Sequence, residues 1–172
     1  MKKLAKRKEL YSYLDELEIS GYGVEIGVFK GHNAVDILSH WKGCKKLYMI
    51  DVWKDGGFNL HKTKKITRHF KNKEIIHDSS ENVVDNFDDG YFSFIYIDAS
   101  HTYEVVTRDI ASWYPKLKSN GIFAGHDYRP DGVYKGAHYG VVSAVQNFSK
   151  DNNLKIEIIN EGNGSSWWVI KP

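Results

Sequence analysis

Residues 22–41 read YGVEIGVFKGHNAVDILSHW, and this stretch decides the fold class. Tyr22–Val28 is a largely apolar run, which is typical of a strand that is buried on both faces. His32–Trp41 carries apolar residues at helical spacing. The glycines between the two runs stand where the backbone must turn sharply from strand to helix. The stretch therefore predicts the first half of a βα unit.

The same alternation of short apolar runs and longer amphipathic runs continues along the chain, and it predicts further βα units in a mostly parallel sheet. The expected strands are Tyr22–Val28, Lys46–Asp51, Glu74–His77, Phe92–Asp98 and Gly121–Gly125. The expected helices are His32–Trp41, Phe58–Asn72, Ser80–Phe87, Thr102–Leu117 and about Gly140–Asp151, the fourth with Val105, Ile110, Trp113 and Leu117 facing inward.

The end of the chain follows a different pattern. Leu154–Asn160 and Ser166–Ile170 are strand-like, and the glycines and asparagine of residues 161–164 tolerate the positive φ of a tight turn. We therefore predict an α/β fold with a Rossmann-like, seven-stranded, mostly parallel sheet that closes with a C-terminal antiparallel β-hairpin and carries helices on both faces. The expected single domain, 1–172, comprises an N-terminal helix (1–19), βα units (20–151) and the terminal hairpin (152–172).

One segment, Tyr128–Tyr139, has the composition of an irregular loop. It contains Pro130, Gly132 and Gly136. We expect this loop to lie over the carboxyl edge of the sheet, where open α/β sheets bind ligands.

Length and charge limit the classes of function. A chain of 172 residues suits about one domain. With 24 basic and 22 acidic residues, the net charge gives no electrostatic reason to expect a nucleic-acid or membrane partner. Cys44 has no partner for an internal disulfide, so a cytoplasmic location is expected. Neither a secretory signal nor an apolar run of about 18 residues is apparent, so we predict a soluble, unprocessed protein, with its oligomeric state left open.

The N-terminal residues predict an amphipathic helix. Its core-facing residues are expected to be Leu4, Tyr11, Leu14 and Leu17. Its basic residues are interpreted as a solvated face, and a lipid or nucleic-acid patch is the alternative: Lys2, Lys3, Lys6, Arg7 and Lys8.

The loop after the first strand is predicted to bind a cofactor. Glu25 to Gly31 places Gly27 and Gly31 where a ligand can approach the N-terminus of the next helix, although the spacing differs from the G-x-G-x-x-G of nicotinamide enzymes. A ligand-free βα turn softened by glycine is the alternative. Asp51 ends the second strand, where a carboxylate accepts hydrogen bonds from the ribose hydroxyls of an adenosine.

Two further groups are predicted to contact the adenine. Trp53 is expected to cover the ring, and Asp78 or Ser79 to meet its amino group after the third strand. For Asp78 and Ser79 an N-cap role at the following helix is an equal alternative.

Polar side chains follow two neighbouring strands of the predicted sheet. Asp98 ends the fourth strand, and His126 and Asp127 follow the fifth. The two carboxylates and the imidazole are candidate ligands for one divalent cation with open positions. His101, three residues after Asp98, is the candidate general base. The alternative is that Asp98 caps a helix and that the histidines are ordinary hydrogen-bonded residues.

The sequence resembles class I S-adenosylmethionine-dependent methyltransferases over about residues 20 to 150. The nearest branch contains macrocin O-methyltransferase and its sugar-modifying relatives. The segments that carry the resemblance are Val24–Gly31, Met49–Trp53, Tyr96–Tyr103, Asp109-Ile110 with Trp113 and Leu117, Gly121–Tyr128, and Gly140–Val142 to Phe148.

The resemblance implies methyl transfer from S-adenosylmethionine to a hydroxyl of a small molecule, either a sugar or a phenol, assisted by Mg²⁺. It implies that Asp98, His126 and Asp127 surround the metal and that His101 is the base. His126 stands where close relatives often have an acidic residue. A metal-dependent hydrolase and a non-catalytic module that binds an adenosine compound or a partner protein are the alternatives.

Overall fold

The computed structural model describes residues 2–161 and 164–172. The helices in these ranges are α1 (Arg7–Glu16), α2 (His32–His40), α3 (Phe58–Ile66), α4 (Ser80–Val83), α5 (Tyr103–Trp113) and α6 (Val141–Asp151). The strands are β1 (Gly21–Ile26), β2 (Cys44–Asp51), β3 (Lys73–His77), β4 (Phe92–Ile97), β5 (Leu117–Gly125), β6 (Gly132–Tyr134), β7 (Ala137–Tyr139), β8 (Glu157–Ile159) and β9 (Ser166–Ile170). Short 3₁₀ turns follow α4 and α5.

Seven strands form one sheet in the order β3-β2-β1-β4-β5-β9-β8. The first five are mutually parallel, and β9 runs antiparallel to both of its neighbours. This topology confirms the predicted Rossmann-like sheet with one reversed strand. The predicted turn residues Gly162 and Asn163 lie outside the described residues.

Alternate residues of the central strands point to two cores, one on each face of the sheet, because strand side chains alternate with a period of two. On β4, Phe94 and Tyr96 pack under α1 and α2, whereas Ile95 and Ile97 pack under α4, α5 and α6. Helices cover both faces, so the central strands can be apolar on both sides. Polar groups are consequently concentrated at the strand ends and in the loops.

The segment Tyr128–Tyr139 is not the irregular loop that its composition predicts, because β6 and β7 pair within it as an antiparallel hairpin. Asp131 anchors this hairpin by accepting hydrogen bonds from Val142 N (3.1 Å) and Ser143 N (3.2 Å) at the start of α6. Tyr128 N donates to Ser165 O at 2.9 Å. The hairpin is therefore fixed at its base, while most of its residues are exposed.

Two predictions for α1 are wrong. Leu4, Tyr11 and Leu14 are buried as expected, but Leu17 lies after the last turn of the helix and is 36% exposed. Arg7 does not belong to a solvated face, because its guanidinium lies against Tyr96 and near Asp98.

Helix ends also differ from the predictions. Helix α3 ends at Ile66, where the Thr67 hydroxyl donates to Thr63 O. Leu117 opens β5 instead of closing α5, and Val106 rather than Val105 is the buried valine of α5. Burial raises the pKa of the Cys44 thiol to about 12, so this residue is protonated at neutral pH. None of the described helices has the length and apolar character needed to cross a bilayer.

Candidate active site

A cavity of about 810 Å³ lies at the carboxyl ends of β1, β2, β3 and β4, which is within the usual range for a small-molecule site. Seven of the predicted site residues line it: Glu25, Gly27, Asp51, Asp78, Ser79, Asp98 and His101. Four do not: Gly31, Trp53, His126 and Asp127.

The loop from β1 to α2 forms one wall, and it depends on residues in the left-handed region. Gly27 has φ +85°, and a Cβ there would lie 2.1 Å from Asp98 O. Phe29 and Gly31 also have positive φ, and Gly31 forms the N-cap of α2. A side chain at position 27 would therefore push the ends of β1 and β4 apart. Gly31 contributes to the shape of the loop as the N-cap of α2 but does not line the cavity.

The Asp51 carboxylate holds this loop in place. Its Oδ2 accepts hydrogen bonds from Val28 N (2.8 Å) and Phe29 N (2.7 Å), and its Oδ1 accepts one from Trp53 N at 2.8 Å. The side chain also lines the cavity. Asp51 therefore links the glycine loop to the end of β2 and presents negative charge to any ligand.

Glu25 is a buried acid with one unpartnered oxygen. Its Oε1 accepts a hydrogen bond from Asn33 Nδ2 at 2.9 Å, and the Tyr11 hydroxyl contacts Asn33 Oδ1 in turn. Among the described residues, Oε2 of Glu25 has no hydrogen-bond partner. Burial raises the pKa of Glu25 to about 8. An unpartnered buried carboxyl on a cavity wall suits a ligand that supplies a cation or hydrogen-bond donors.

The residues predicted to contact adenine divide into two groups. Trp53 is 4% exposed and its Nε1 donates to Phe29 O, so the indole supports the loop instead of covering the cavity. Asp78 and Ser79 line the cavity. Ser79 also caps α4 by accepting a hydrogen bond from Asn82 N, whereas Asp78 accepts one from the side-chain amide of Asn82. Hydrogen bonds from Asn82 and from the Ser79 amide lower the pKa of Asp78. Ser79 therefore caps α4 and also lies on the wall of the cavity, where a ligand could contact it.

A polar cluster forms where β4 and β5 end. His101 Nδ1 lies 3.3 Å from Asp127 Oδ2, and His126 Nδ1 lies 3.5 Å from the same oxygen and 3.8 Å from Asp98 Oδ1. Asp127 has φ +55°, an uncommon conformation for a residue other than glycine. The cluster brings together the four residues that the sequence predicted after these strands.

Two arginines pair with the carboxylates of this cluster. Arg7 Nη1 lies 3.9 Å from Asp98 Oδ2, and Arg129 Nη2 donates to Asp127 Oδ1. Burial raises the pKa of Asp98 to about 6 despite the nearby cationic groups. Burial also acts to raise the pKa of Asp127, but the His126 hydrogen bond, the two imidazoles and Arg129 together lower it. Asp127 is therefore the more readily ionised carboxyl.

His101 is held by its neighbours. The Tyr139 ring of β7 stacks on the imidazole, with 4.8 Å between centroids and 10° between planes, and Gly140 N donates to His101 O at 2.8 Å. Arg129 lies 4.9 Å from the centre of the Tyr139 ring. Burial lowers the pKa of His101, which favours the neutral imidazole.

Sequence reasoning missed Arg7, Asn33 and Arg129 as parts of this site. Arg7 had a usable signal, because residues 7, 10, 11 and 14 share one helical face and the last three are buried. Asn33 follows the glycine loop directly. The roles of Arg129 and Tyr139 depend on the fold of the β6–β7 hairpin, which no local pattern predicts.

The donor atoms are compatible with a divalent cation. One ligand atom each from Asp98, His101 and Asp127 can be chosen so that all lie within 4.8 Å of one another. Two carboxylates and an imidazole are ligands that Mn²⁺ or Zn²⁺ accepts more readily than Mg²⁺, which prefers oxygen. The set differs from the predicted one in containing His101 where His126 was expected. A cation here would compete with Arg7 and Arg129 for the carboxylates.

The comparisons with known proteins agree on the class. A family model described as "Methyltransferase domain" matches residues 24–128, whereas a search of curated protein sequences finds no significant match. Similar solved structures include a candidate caffeoyl-CoA O-methyltransferase from Staphylococcus aureus (17% identity, TM-score 0.72, covering 97% of this chain and 85% of that one). A candidate methyltransferase from Streptococcus mutans in complex with SAH has 16% identity and a TM-score of 0.71, covering 98% and 100%.

A candidate rRNA methylase from Clostridium thermocellum is equally similar, with 12% identity, a TM-score of 0.72 and 100% of both chains covered. At identities this low, the structural similarity establishes the fold alone. The family model spans more than half of the chain and establishes the family. The protein therefore belongs to the methyltransferase domain family and is a class I S-adenosylmethionine-dependent methyltransferase.

Proposed function

We propose that this methyltransferase transfers the methyl group of S-adenosylmethionine to a hydroxyl group of a small molecule that contains a sugar or phenol-like ring. The observation that carries the proposal is the position of His101, which lines the cofactor cavity and lies 3.3 Å from Asp127. A neutral imidazole beside a carboxylate is suited to remove a proton from an acceptor hydroxyl. The sequence resemblance to sugar O-methyltransferases supports the same reaction.

The cofactor would occupy the cavity between the glycine loop and the polar cluster. Asp51 would accept hydrogen bonds from the ribose hydroxyls, and Asp78 and Ser79 would meet the adenine. The unpartnered oxygen of Glu25 would face the ammonium of the methionine moiety. Gly27 would let the backbone approach the ligand closely, and Gly31 would contribute indirectly as the N-cap of α2. Trp53 would act indirectly, by holding Phe29 in the loop.

His101 would act through its second ring nitrogen. Because Nδ1 faces Asp127, this carboxylate favours the tautomer with a proton on Nδ1 and leaves Nε2 to accept the proton of the hydroxyl. Asp127 would also stabilise the imidazolium that results. The acceptor oxygen would then form a bond to the methyl carbon in line with the breaking S–CH₃ bond, whose electron pair would remain on sulfur and leave S-adenosylhomocysteine as the neutral thioether.

A divalent cation is the second part of the proposal. Asp98 and Asp127 would hold it, with His126 near enough to contribute directly or through water. A bound cation would lower the pKa of an acceptor hydroxyl. The support is the proximity of the two carboxylates and two imidazoles.

The proposal of a ring-containing acceptor is supported by aromatic side chains beside His101. Tyr134 is 37% exposed and packs edge-on against Tyr139 at 5.5 Å between centroids. Exposed rings of this kind bind flat or sugar-like molecules.

We also propose a cytoplasmic location, on the grounds of the single cysteine.

Calorimetry with S-adenosylmethionine, with and without Mg²⁺ or Mn²⁺, is the first test. We expect the cofactor to bind without metal. Transfer of labelled methyl groups to a panel of catechols and nucleotide sugars should then depend on His101. Cofactor binding together with methylation of nitrogen acceptors alone would refute hydroxyl transfer.

A further inference from the structure

The surface formed by residues 54–73 has a strong excess of positive charge. This segment, which includes α3, contains seven basic residues and one acidic residue, Asp55. Five of the basic residues are exposed: Lys54, Lys64, Lys65, Arg68 and Lys71. The rest of the chain consequently has more acidic than basic residues. The small net charge of the protein therefore conceals a local concentration of cations.

These cations are not neutralised by neighbouring acids. The salt bridges that the described ranges form elsewhere include Lys46 with Glu74 and Lys116 with Asp89. In the described part of the chain, no carboxylate lies within ion-pair distance of any lysine or arginine of residues 54–73. A cluster of unpaired cations creates a positive potential that attracts polyanions.

Two exposed phenylalanines lie beside these cations. Phe58, the first residue of α3, is 62% exposed, and Phe29 of the glycine loop is 59% exposed. Lys62 Nζ lies 4.3 Å from the centre of the Phe58 ring, and Lys30 Nζ lies 4.7 Å from that of Phe29. Exposed rings interleaved with cations are the arrangement on which bases stack while phosphates pair with charge.

The basic surface is continuous with the cofactor cavity. The Thr63 hydroxyl of α3 donates to Phe29 O at 3.0 Å, so the helix packs directly on the glycine loop. Phe29, Lys30, Val52 and Lys54 line the mouth of the cavity. A polymer lying along α3 would therefore pass beside this cavity.

We propose that the surface of residues 54–73, together with Phe29 and Lys30, binds single-stranded nucleic acid. The proposal goes beyond the small-molecule function and does not depend on it. A membrane surface is the less suitable partner, because the aliphatic residues of α3, Leu60 and Ile66, are at least partly buried. The exposed large apolar side chains on this surface are Phe58, Phe29 and Val52. The proposal differs from the expectation drawn from net charge, because net charge averages over the whole chain.

Fluorescence anisotropy with a labelled oligouridylate of about 12 nucleotides tests the proposal, since this length spans an ordinary single-strand site. We expect Lys64→Glu/Lys65→Glu to weaken binding at least about tenfold. The slope of log K against log salt should become shallower by about 1.4, because each lost phosphate contact to a single strand contributes about 0.7. Phe58→Ala should weaken binding about fivefold with little change in slope.

The matched control is Lys118→Glu/Lys150→Glu, which changes the net charge equally at exposed positions on β5 and α6. If binding depends on contacts with α3 and not on net charge, this control should bind the oligouridylate within about twofold of the wild-type affinity. Equal losses in both double variants, or absence of binding by the wild type at about 50 mM salt, would overturn the proposal. Binding to vesicles that contain phosphatidylglycerol but not to the oligonucleotide would overturn it in favour of a membrane surface.

Discussion

Replacing Glu25 by glutamine is expected to change protein stability and cofactor affinity in opposite directions. Glutamine has nearly the shape of a protonated glutamate, so the variant can keep the hydrogen bond from Asn33 while losing the ability to ionise. In the wild type the carboxyl is buried, and its pKa is raised from 4.5 to about 8. The free protein therefore holds a proton on Glu25 at neutral pH.

The sign of the stability effect follows from this raised pKa. Between pH 4.5 and about 8 the unfolded chain has released the proton that the folded protein retains, so the free energy of unfolding falls as pH rises. The slope approaches about 1.4 kcal/mol per pH unit, which amounts to about 3 kcal/mol lost between pH 4.5 and 7. Because glutamine does not ionise, the free energy of unfolding of Glu25→Gln should not decrease in this way between pH 4.5 and 7. The variant should therefore gain stability over the wild type as pH rises through the same range.

Urea unfolding followed by tryptophan fluorescence at several pH values measures this difference, because Trp41, Trp113, Trp167 and Trp168 are fully buried. Other titrating groups cancel when the variant is subtracted from the wild type. Glu104→Gln, at an exposed position in α5, is the matched control and should leave the curve unchanged.

Cofactor binding should show the opposite effect. An ammonium facing Glu25 favours the ionised carboxylate, so binding near pH 7 should release a proton, which calorimetry detects as a heat that depends on the buffer. Glu25→Gln should abolish that release and weaken S-adenosylmethionine binding by about 1.5–3 kcal/mol. A difference in stability that stays flat between pH 4.5 and 8 would refute the assignment of a raised pKa to Glu25.

Three further outcomes are expected. Asp51→Ala should weaken S-adenosylmethionine binding by about 1.5–3 kcal/mol in calorimetry, and unchanged affinity with an intact fold would argue against its ribose contact. His101→Ala should keep cofactor affinity but reduce turnover by about 10²–10⁴-fold; a loss of thermal stability with unchanged turnover would mean a structural role. Asp127→Asn should abolish Mn²⁺ binding followed by electron paramagnetic resonance, and a metal affinity equal to that of the wild type would exclude Asp127 as a ligand.

The sequence alone determined the order of the helices and of the seven strands of the main sheet along the chain, and the edge at which the candidate site lies, but not the β6–β7 hairpin. Hydrophobic periodicity is local, so β4 and the helix after it could be recognised without knowing their neighbours. Parallel strands end at a common edge, which is why Asp98, His101, His126 and Asp127 could be expected to meet. The reversed strand was also predictable from local sequence, because two strand-like runs joined by a short turn form a hairpin.

Only the tertiary structure decided which side chains face the cavity. Arg7 has the charge of a solvent-exposed residue, but the docking of α1 on the sheet directs it toward Asp98. Trp53 follows the predicted strand, yet its hydrogen bond to Phe29 O turns the indole into the protein. Tyr139, at the end of the β6–β7 hairpin, stacks on His101, and the next residue, Gly140, donates a backbone hydrogen bond to His101 O. These orientations depend on contacts between elements far apart in the chain, and periodicity within one element carries no information about them.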